Sequence, residues 1–163
     1  DWATELAATL QSVSLCECRL SDSVTTCASL YGLPLLTSVL LEGDIGNDCD
    51  QQVSLLVAQC SALRNLSLVN MPWLTEDAFM CSHYAEPDAE MLKLLKHFAQ
   101  LEQLTLTGLM RFRVDIFLDF CASFSELNMR RMTIFGVLVA SGASFNARRQ
   151  VLRKFPALEM RWA

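Results

Sequence analysis

The sequence has few charged residues and no long uninterrupted apolar run. Charged residues make up 19% of its 163 residues, and the formal net charge is −5, so the basic excess typical of general nucleic-acid binding is missing. The longest weakly polar run, at residues 132–145, is broken by Thr, Gly and Ser. A membrane-spanning helix needs roughly 20 largely apolar residues, so no span is expected. The 52% apolar content is enough for a continuous core, which predicts an ordered protein.

The first residues lack both the basic and the apolar region of a secretory signal. The chain does not begin with Met, and we interpret it as part of a longer protein. Its seven cysteines are odd in number and irregularly spaced, whereas a disulfide framework in a short secreted chain favours an even number. We therefore expect reduced thiols and an intracellular protein, cytoplasmic or, as the alternative, mitochondrial.

Residues that carry catalysis or bind metals are also scarce. The sequence has two histidines, His83 and His97, and two cysteine placements that could supply metal ligands, Cys81 beside His83 and Cys16 beside Cys18. A structural zinc site needs four ligands and usually a longer spacing between paired cysteines. No glycine-rich phosphate loop is present. We therefore predict no metal, no cofactor and no enzymatic activity.

An apolar pattern recurs along the chain. Apolar residues stand at relative positions 0, 3 and 5 of each copy and at position 8 of most, although the second copy has Asp44 there, followed by Ile45. The last copies use Phe and Met in place of Leu. The copies begin 26, 27, 38, 23 and 31 residues apart. Their first residues are Leu10, Leu36, Leu63, Leu101, Phe124 and Phe155.

Each copy predicts one strand, and the stretches between copies predict helices. Positions 3 and 5 of the pattern alternate with polar residues, which is typical of a half-buried strand. Apolar spacings of three and four predict helices around residues 53–60 and 91–98, and the segment 146–154 predicts a short helix with Asn146 at its start. Strands joined through helices at this spacing must run parallel.

The segment Cys60-Ser-Ala-Leu63-Arg-Asn-Leu66-Ser-Leu68-Val-Asn-Met71-Pro-Trp-Leu74-Thr-Glu76 resembles the leucine-rich repeat family, in its ribonuclease-inhibitor-like and cysteine-containing subclasses. Met71 stands where that consensus has a second Cys. The resemblance covers most of the chain. It implies an α/β fold: a right-handed solenoid of about six repeats, with parallel strands on the concave face and helices on the convex face. Residues 1–163 would form one such domain.

Two segments depart from the repeat. Residues 81–90 are a polar insertion with a proline, interpreted either as a tolerated surface loop or as a partner contact. Residues 133–146 are apolar, contain glycine and fit the pattern poorly, so they are interpreted as a disrupted repeat or as a segment that packs on a partner.

Positions 4, 6 and 7 of each copy are expected on the concave face, the usual binding surface of a solenoid. The predicted columns run from acidic residues at one end to arginines at the other. Arginine can bind carboxylates through two hydrogen bonds, so we expect the arginine end to contact an acidic protein segment; solvated surface charge is the alternative. The candidate partner-binding residues are Glu17, Glu42, Asn70, Arg130, Arg131, Arg161 and Trp162.

The function expected from the resemblance is protein–protein interaction, as a substrate-recognition or scaffold element that binds a partner protein on its concave face. The alternative is a structural accessory subunit or assembly factor held inside a large, possibly mitochondrial, complex. The apolar segment at Ile134–Ala140 favours that alternative, because permanent interfaces are large and apolar.

Overall fold

A computed structural model describes residues 8–16, 30–44, 48–80, 89–137 and 143–162. They form one six-stranded sheet in which every neighbouring pair of strands is parallel and the spatial order equals the chain order. The sheet is not closed into a barrel. Its strands are β1 (Ser12–Cys16), β2 (Ser38–Glu42), β3 (Asn65–Val69), β4 (Gln103–Thr107), β5 (Arg131–Phe135) and β6 (Glu159–Trp162).

Helices occupy the connections between the strands. Those that the described residues form are α1 (Cys49–Gln59), α2 (Asp77–Met80), α3 (Ala89–Ala99), α4 (Val114–Ser123) and α5 (Ala143–Lys154). The helices predicted around residues 53–60 and 91–98 are confirmed as α1 and α3. The long interval between Leu63 and Leu101 contains two helices, α2 and α3. The predicted insertion at 81–90 lies mainly outside the described residues; its last two residues open α3.

Alternation of burial along the strands explains the single core. In β3, Leu66 and Leu68 are buried, whereas Asn65, Ser67 and Val69 are only partly covered. β2 follows the same pattern, and in β4 and β5 the first residue is exposed. The inward side chains join buried residues of α1, α3 and α4 in one apolar cluster. The helices therefore cover one side of the sheet, because a strand presents successive side chains to opposite faces.

The residue directly after four consecutive strands has a left-handed backbone. These residues are Gly43, Asn70, Gly108 and Gly136, with φ of 98°, 51°, 65° and 60°. In the first three, the backbone N–H donates to the carbonyl of the last residue of the following strand, at 2.8–3.0 Å. Glycine adopts this backbone without strain and asparagine tolerates it, so these four strands end in the same local geometry.

Two carboxylates join successive connections. Asp50 in α1 accepts hydrogen bonds from the backbone N–H (2.7 Å) and the hydroxyl (2.6 Å) of Thr75. Glu76, which is buried, accepts the backbone N–H of Arg113 at 2.9 Å. Thr75 and Arg113 stand at the same distance after the first residue of their units. These bonds satisfy two partly buried backbone donors.

The predicted register is confirmed for β1–β4 and wrong for β5 and β6. Met132, not Leu127, pairs with Leu104, and Met160, not Leu158, pairs with Met132. The pattern at positions 0, 3, 5 and 8 fits a start at Met129 as well as the predicted start at Phe124, so the spacing alone could not distinguish the two registers. Residues 131–135 include Thr, Ile and Phe, which favour strands. In β6 the error is two residues, and a slip of two leaves the same side chains inward.

The segment 133–146 is not a disrupted repeat in the described part of the chain. Thr133–Phe135 complete β5, and the helix α5 begins at Ala143 rather than at the predicted Asn146. Residues 138–142 lie outside the described residues. Ile134 is fully buried in the shared core, so its apolar character is accounted for by folding.

Candidate partner-binding surface

The side of the sheet away from the helices is the main uncovered surface among the described elements. We call it the open face: the strand residues whose side chains alternate with the core-facing ones. None of them is buried. They form three rows across the sheet: Ser12, Ser38, Asn65, Gln103, Arg131 and Glu159; Ser14, Leu40, Ser67, Thr105, Thr133 and Arg161; and Cys16, Glu42, Val69, Thr107 and Phe135.

The open face changes in character along the sheet. Its middle carries short hydroxyl and amide side chains with a few apolar ones, Leu40, Val69 and Phe135. Glu42 is its acidic residue near the β1 end. Arg131 and Arg161 lie at the opposite end, on β5 and β6. Short side chains in the middle leave room for a partner to approach the strands, and charged groups at the ends can set its orientation.

The structure places the predicted site residues in different settings. Glu42, Arg131 and Arg161 lie on the open face. Asn70 occupies the turn after β3, where its side-chain amide donates to Glu42 at 3.3 Å. Glu17 lies outside the described residues.

Arg130 and Trp162 do not lie on the open face. Arg130 precedes β5. Its backbone N–H donates to the carbonyl of Glu102, and its carbonyl accepts the backbone N–H of Glu159, at 2.8 Å each. Trp162 pairs with Ile134 in a core-facing row and is partly buried. Their prediction as open-face residues was wrong, because it followed from the wrong register of β5 and β6.

A carboxylate links the two open-face arginines. Arg161 Nε donates to Glu159 Oε1 at 2.9 Å, and Arg131 Nε donates to Glu159 Oε2 at 3.4 Å. The hydrogen bond and charge of Arg161, followed by the charge of Arg131, lower the pKa of Glu159. Each guanidinium uses Nε in this contact. The cluster carries a net positive charge and can receive a carboxylate from outside.

A second exposed cluster, which sequence reasoning missed, lies in the loops that follow β3 and β4. The guanidinium of Arg111 lies 4.2 Å from the centroid of the Trp73 ring, a cation–π contact. Trp73 is 39% exposed and the neighbouring Met110 is 68% exposed. Trp, Met and Arg are enriched in protein interfaces. The sequence could have predicted this contact, because Trp73 and Arg111 stand at the same position of consecutive copies of the apolar pattern.

Charge is divided unequally along the chain, which also could have been read from the sequence. Residues 127–163 contain seven of the 13 basic residues and one of the 18 acidic residues, a net charge of +6. Residues 1–126 therefore carry −11, since the whole chain carries −5. The arginine end of the open face belongs to this basic part, so its field extends beyond Arg131 and Arg161.

Cys49, Cys60 and Cys121 are free thiols, and all three are buried. Burial, together with the neighbouring Asp50 charge, raises the pKa of Cys49 to about 12. Burial also raises the pKa of Cys60 and of Cys121. The His97 ring contacts backbone carbonyls: its Nδ1 lies 3.2 and 3.0 Å from the carbonyl oxygens of Val57 and Ala58.

We expect alkylation to distinguish these cysteines. In the folded protein at neutral pH, iodoacetamide should modify exposed Cys16 at least tenfold faster than Cys49, Cys60 or Cys121, because the thiolate is the nucleophile and burial suppresses it. Peptide mass spectrometry over a time course measures each rate, and the four rates should converge in urea. Modification of Cys121 as fast as Cys16 in the folded state would show that its burial is wrong.

Comparisons with known proteins add no family. No protein-family model, curated protein or solved structure matches the chain. Within the ranges of the chain that the structure describes, no helix has both the length and the apolar character needed to cross a membrane. In the same ranges, no three His, Cys, Asp or Glu side chains come together as a possible metal site.

Proposed function

We propose that the chain is a protein-interaction module that binds a partner protein on the open face, with an acidic segment of the partner at Arg131 and Arg161. The observation that carries this proposal is an uncovered six-stranded sheet face whose polar middle ends in an arginine cluster. Binding surfaces of stacked-strand proteins lie on such a face. The positive arginine cluster and the negative Glu42 lie toward opposite ends of the open face, so together they can orient a partner.

We further propose that the chain is a leucine-rich repeat solenoid with its open face concave, and that it acts inside the cell. Support comes from the strand, left-handed residue and helix that recur in successive units. With Met129 and Ala157 as the first residues of the last two units in the observed register, four of the five intervals are 26, 27, 28 and 28 residues. The buried free thiols Cys49, Cys60 and Cys121 fit a reducing compartment.

A protein partner is favoured over nucleic acid by charge. The −11 of residues 1–126 would repel a phosphate backbone laid across the whole sheet. The open face also contains Leu40, Val69 and Phe135, which suit apolar side chains of a protein. The alternative, a permanent subunit of a large complex, loses one of its arguments, because Ile134 is buried in this chain's own core.

Site-specific photo-cross-linking tests the proposal. A benzoylphenylalanine at Thr105 lies in the middle of the open face, and the control at Lys93 lies on the solvent side of α3. In extracts of the source cells we expect Thr105 to cross-link one discrete partner and Lys93 to give only background. Cross-linking of the same partner from Lys93 but not from Thr105 would reject the open face. Persistence of the link in a high-molecular-weight, salt-resistant assembly would favour the permanent subunit.

A further inference from the structure

The helix α5 presents an exposed stripe on the side of the protein opposite the open face. Ser144, Ala147 and Val151 face the core and are buried. Phe145, at 71% exposed, is among the most exposed large apolar side chains of the described residues. Leu152 stands seven residues later and therefore on the same side of the helix. Two turns of α5 thus expose Phe145 and part of Leu152, which is partly buried and also packs against the core.

Arginines flank this apolar pair on both sides. At the helical spacing of 100° per residue, Arg148 falls on one side of the Phe145–Leu152 line, and Arg149 and Arg153 fall on the other. These residues, with Asn146, line an open depression of about 520 Å³. Among the described residues, none of the three arginines makes an ion pair. We call Phe145, Arg148, Arg149, Leu152 and Arg153 the α5 stripe.

Arg148 stacks on an aromatic ring, but among the described residues its guanidinium nitrogen Nε lacks a hydrogen bond. Its guanidinium carbon lies 5.7 Å from the centroid of the Trp162 ring. Within the part of the chain that the structure describes, its buried Nε has no hydrogen-bond partner. An unpaired guanidinium beside two others of like charge is electrostatically costly, and an anion placed between them would relieve that cost. Lys154 differs, because its ammonium donates to the carbonyl of Ala122 at 2.7 Å.

We propose that the α5 stripe binds an acidic protein segment that carries an apolar side chain to rest on Phe145 and Leu152. The three unpaired arginines fix the charge of this partner, and the depression between them accepts a protruding side chain. A membrane surface fits less well, because a membrane-bound helix buries its wide apolar face in lipid, whereas here that face is buried in the core. The proposal does not rest on the open face.

A defined peptide probe tests this site. A fluorescent synthetic peptide rich in Asp and Glu, with one Trp and one Leu, is titrated with the full chain at physiological salt. We expect saturable binding that Arg149→Glu/Arg153→Glu weakens at least about tenfold, since two attractive charges become repulsive. Phe145→Ser is expected to weaken it about threefold or more, since a partly buried apolar contact is lost. A peptide with Ser in place of Trp and Leu should bind correspondingly less.

Matched variants keep the outcome interpretable. Lys93→Glu/Lys96→Glu makes the same charge change on the solvent side of α3, and it should alter peptide affinity less than twofold if the effect is local. In an Arg131→Glu/Arg161→Glu background, which removes peptide binding at the open face, Arg149→Glu/Arg153→Glu should still weaken binding at least about tenfold. Equal losses from the stripe and α3 variants, or no saturable peptide binding, would overturn the proposal. So would binding to vesicles of phosphatidylcholine and phosphatidylserine in preference to the peptide.

Discussion

Replacing Phe98 by alanine is expected to destabilise the protein by about 3–5 kcal/mol, the usual cost of removing a buried aromatic ring. Phe98 is fully buried and lies on α3. Its ring centroid is 5.4 Å from those of Phe79, Phe120 and Phe124 and 6.1 Å from that of Phe117. Its loss would leave a cavity among α2, α3 and α4 and remove several ring contacts, each of which contributes about 0.5–1.5 kcal/mol.

Urea unfolding followed by circular dichroism measures this effect. The midpoint should fall strongly for Phe98→Ala, while Phe145→Ala, which removes an equal but exposed ring, should change stability by no more than about 0.5 kcal/mol. If Phe98→Ala cost less than about 1 kcal/mol, the phenylalanine cluster would not be packed as described. The pair of variants therefore separates core packing from a general loss of aromatic surface.

The phenylalanine cluster also shows what the sequence could not predict. Six of the nine phenylalanines, from Phe79 to Phe124, belong to it. Their positions along the sequence do not indicate that their rings come together. Repeat spacing describes each unit separately, whereas these contacts join different units. Phe124 was expected to begin a repeat, but it ends α4 and packs on Phe98 and Phe120.

The strands were more predictable than the site. Alternation of leucines placed β1–β4 in the correct register because Leu and polar residues differ sharply there. Around β5, Leu127, Met129, Met132 and Ile134 are all apolar, so two registers satisfied the same pattern. The choice between them decides which arginines reach the open face. A fold can thus be predicted from repeat spacing while the site, which depends on register, is not.

Charge reversal of Arg131 and Arg161 is expected to weaken partner binding on the open face by about tenfold to a hundredfold. Both side chains are about half exposed, at 48% and 60%, so solvent screens them and neither is needed for folding. The variant replaces a positive cluster around Glu159 with three neighbouring carboxylates, which would repel an acidic segment. Arg131→Gln/Arg161→Gln removes the attraction alone and should give a smaller loss in the same direction.

Two controls test whether this loss is local. Lys93→Glu/Lys96→Glu changes net charge equally on the solvent side of α3, and Glu159→Gln leaves both guanidinium groups in place while releasing them from their internal pair. Neither should weaken the complex. Thermal unfolding of each variant should stay close to that of the parent, which confirms that the sheet is intact.

The most direct measurement is calorimetric titration of the partner identified by cross-linking from Thr105 into the parent protein and into Arg131→Glu/Arg161→Glu. We predict a folded variant with affinity reduced at least tenfold and a weaker dependence on salt, since fewer opposite charges meet. An unchanged affinity and an unchanged salt dependence in the folded variant would contradict the assignment of the arginine end of the open face as the partner-binding surface.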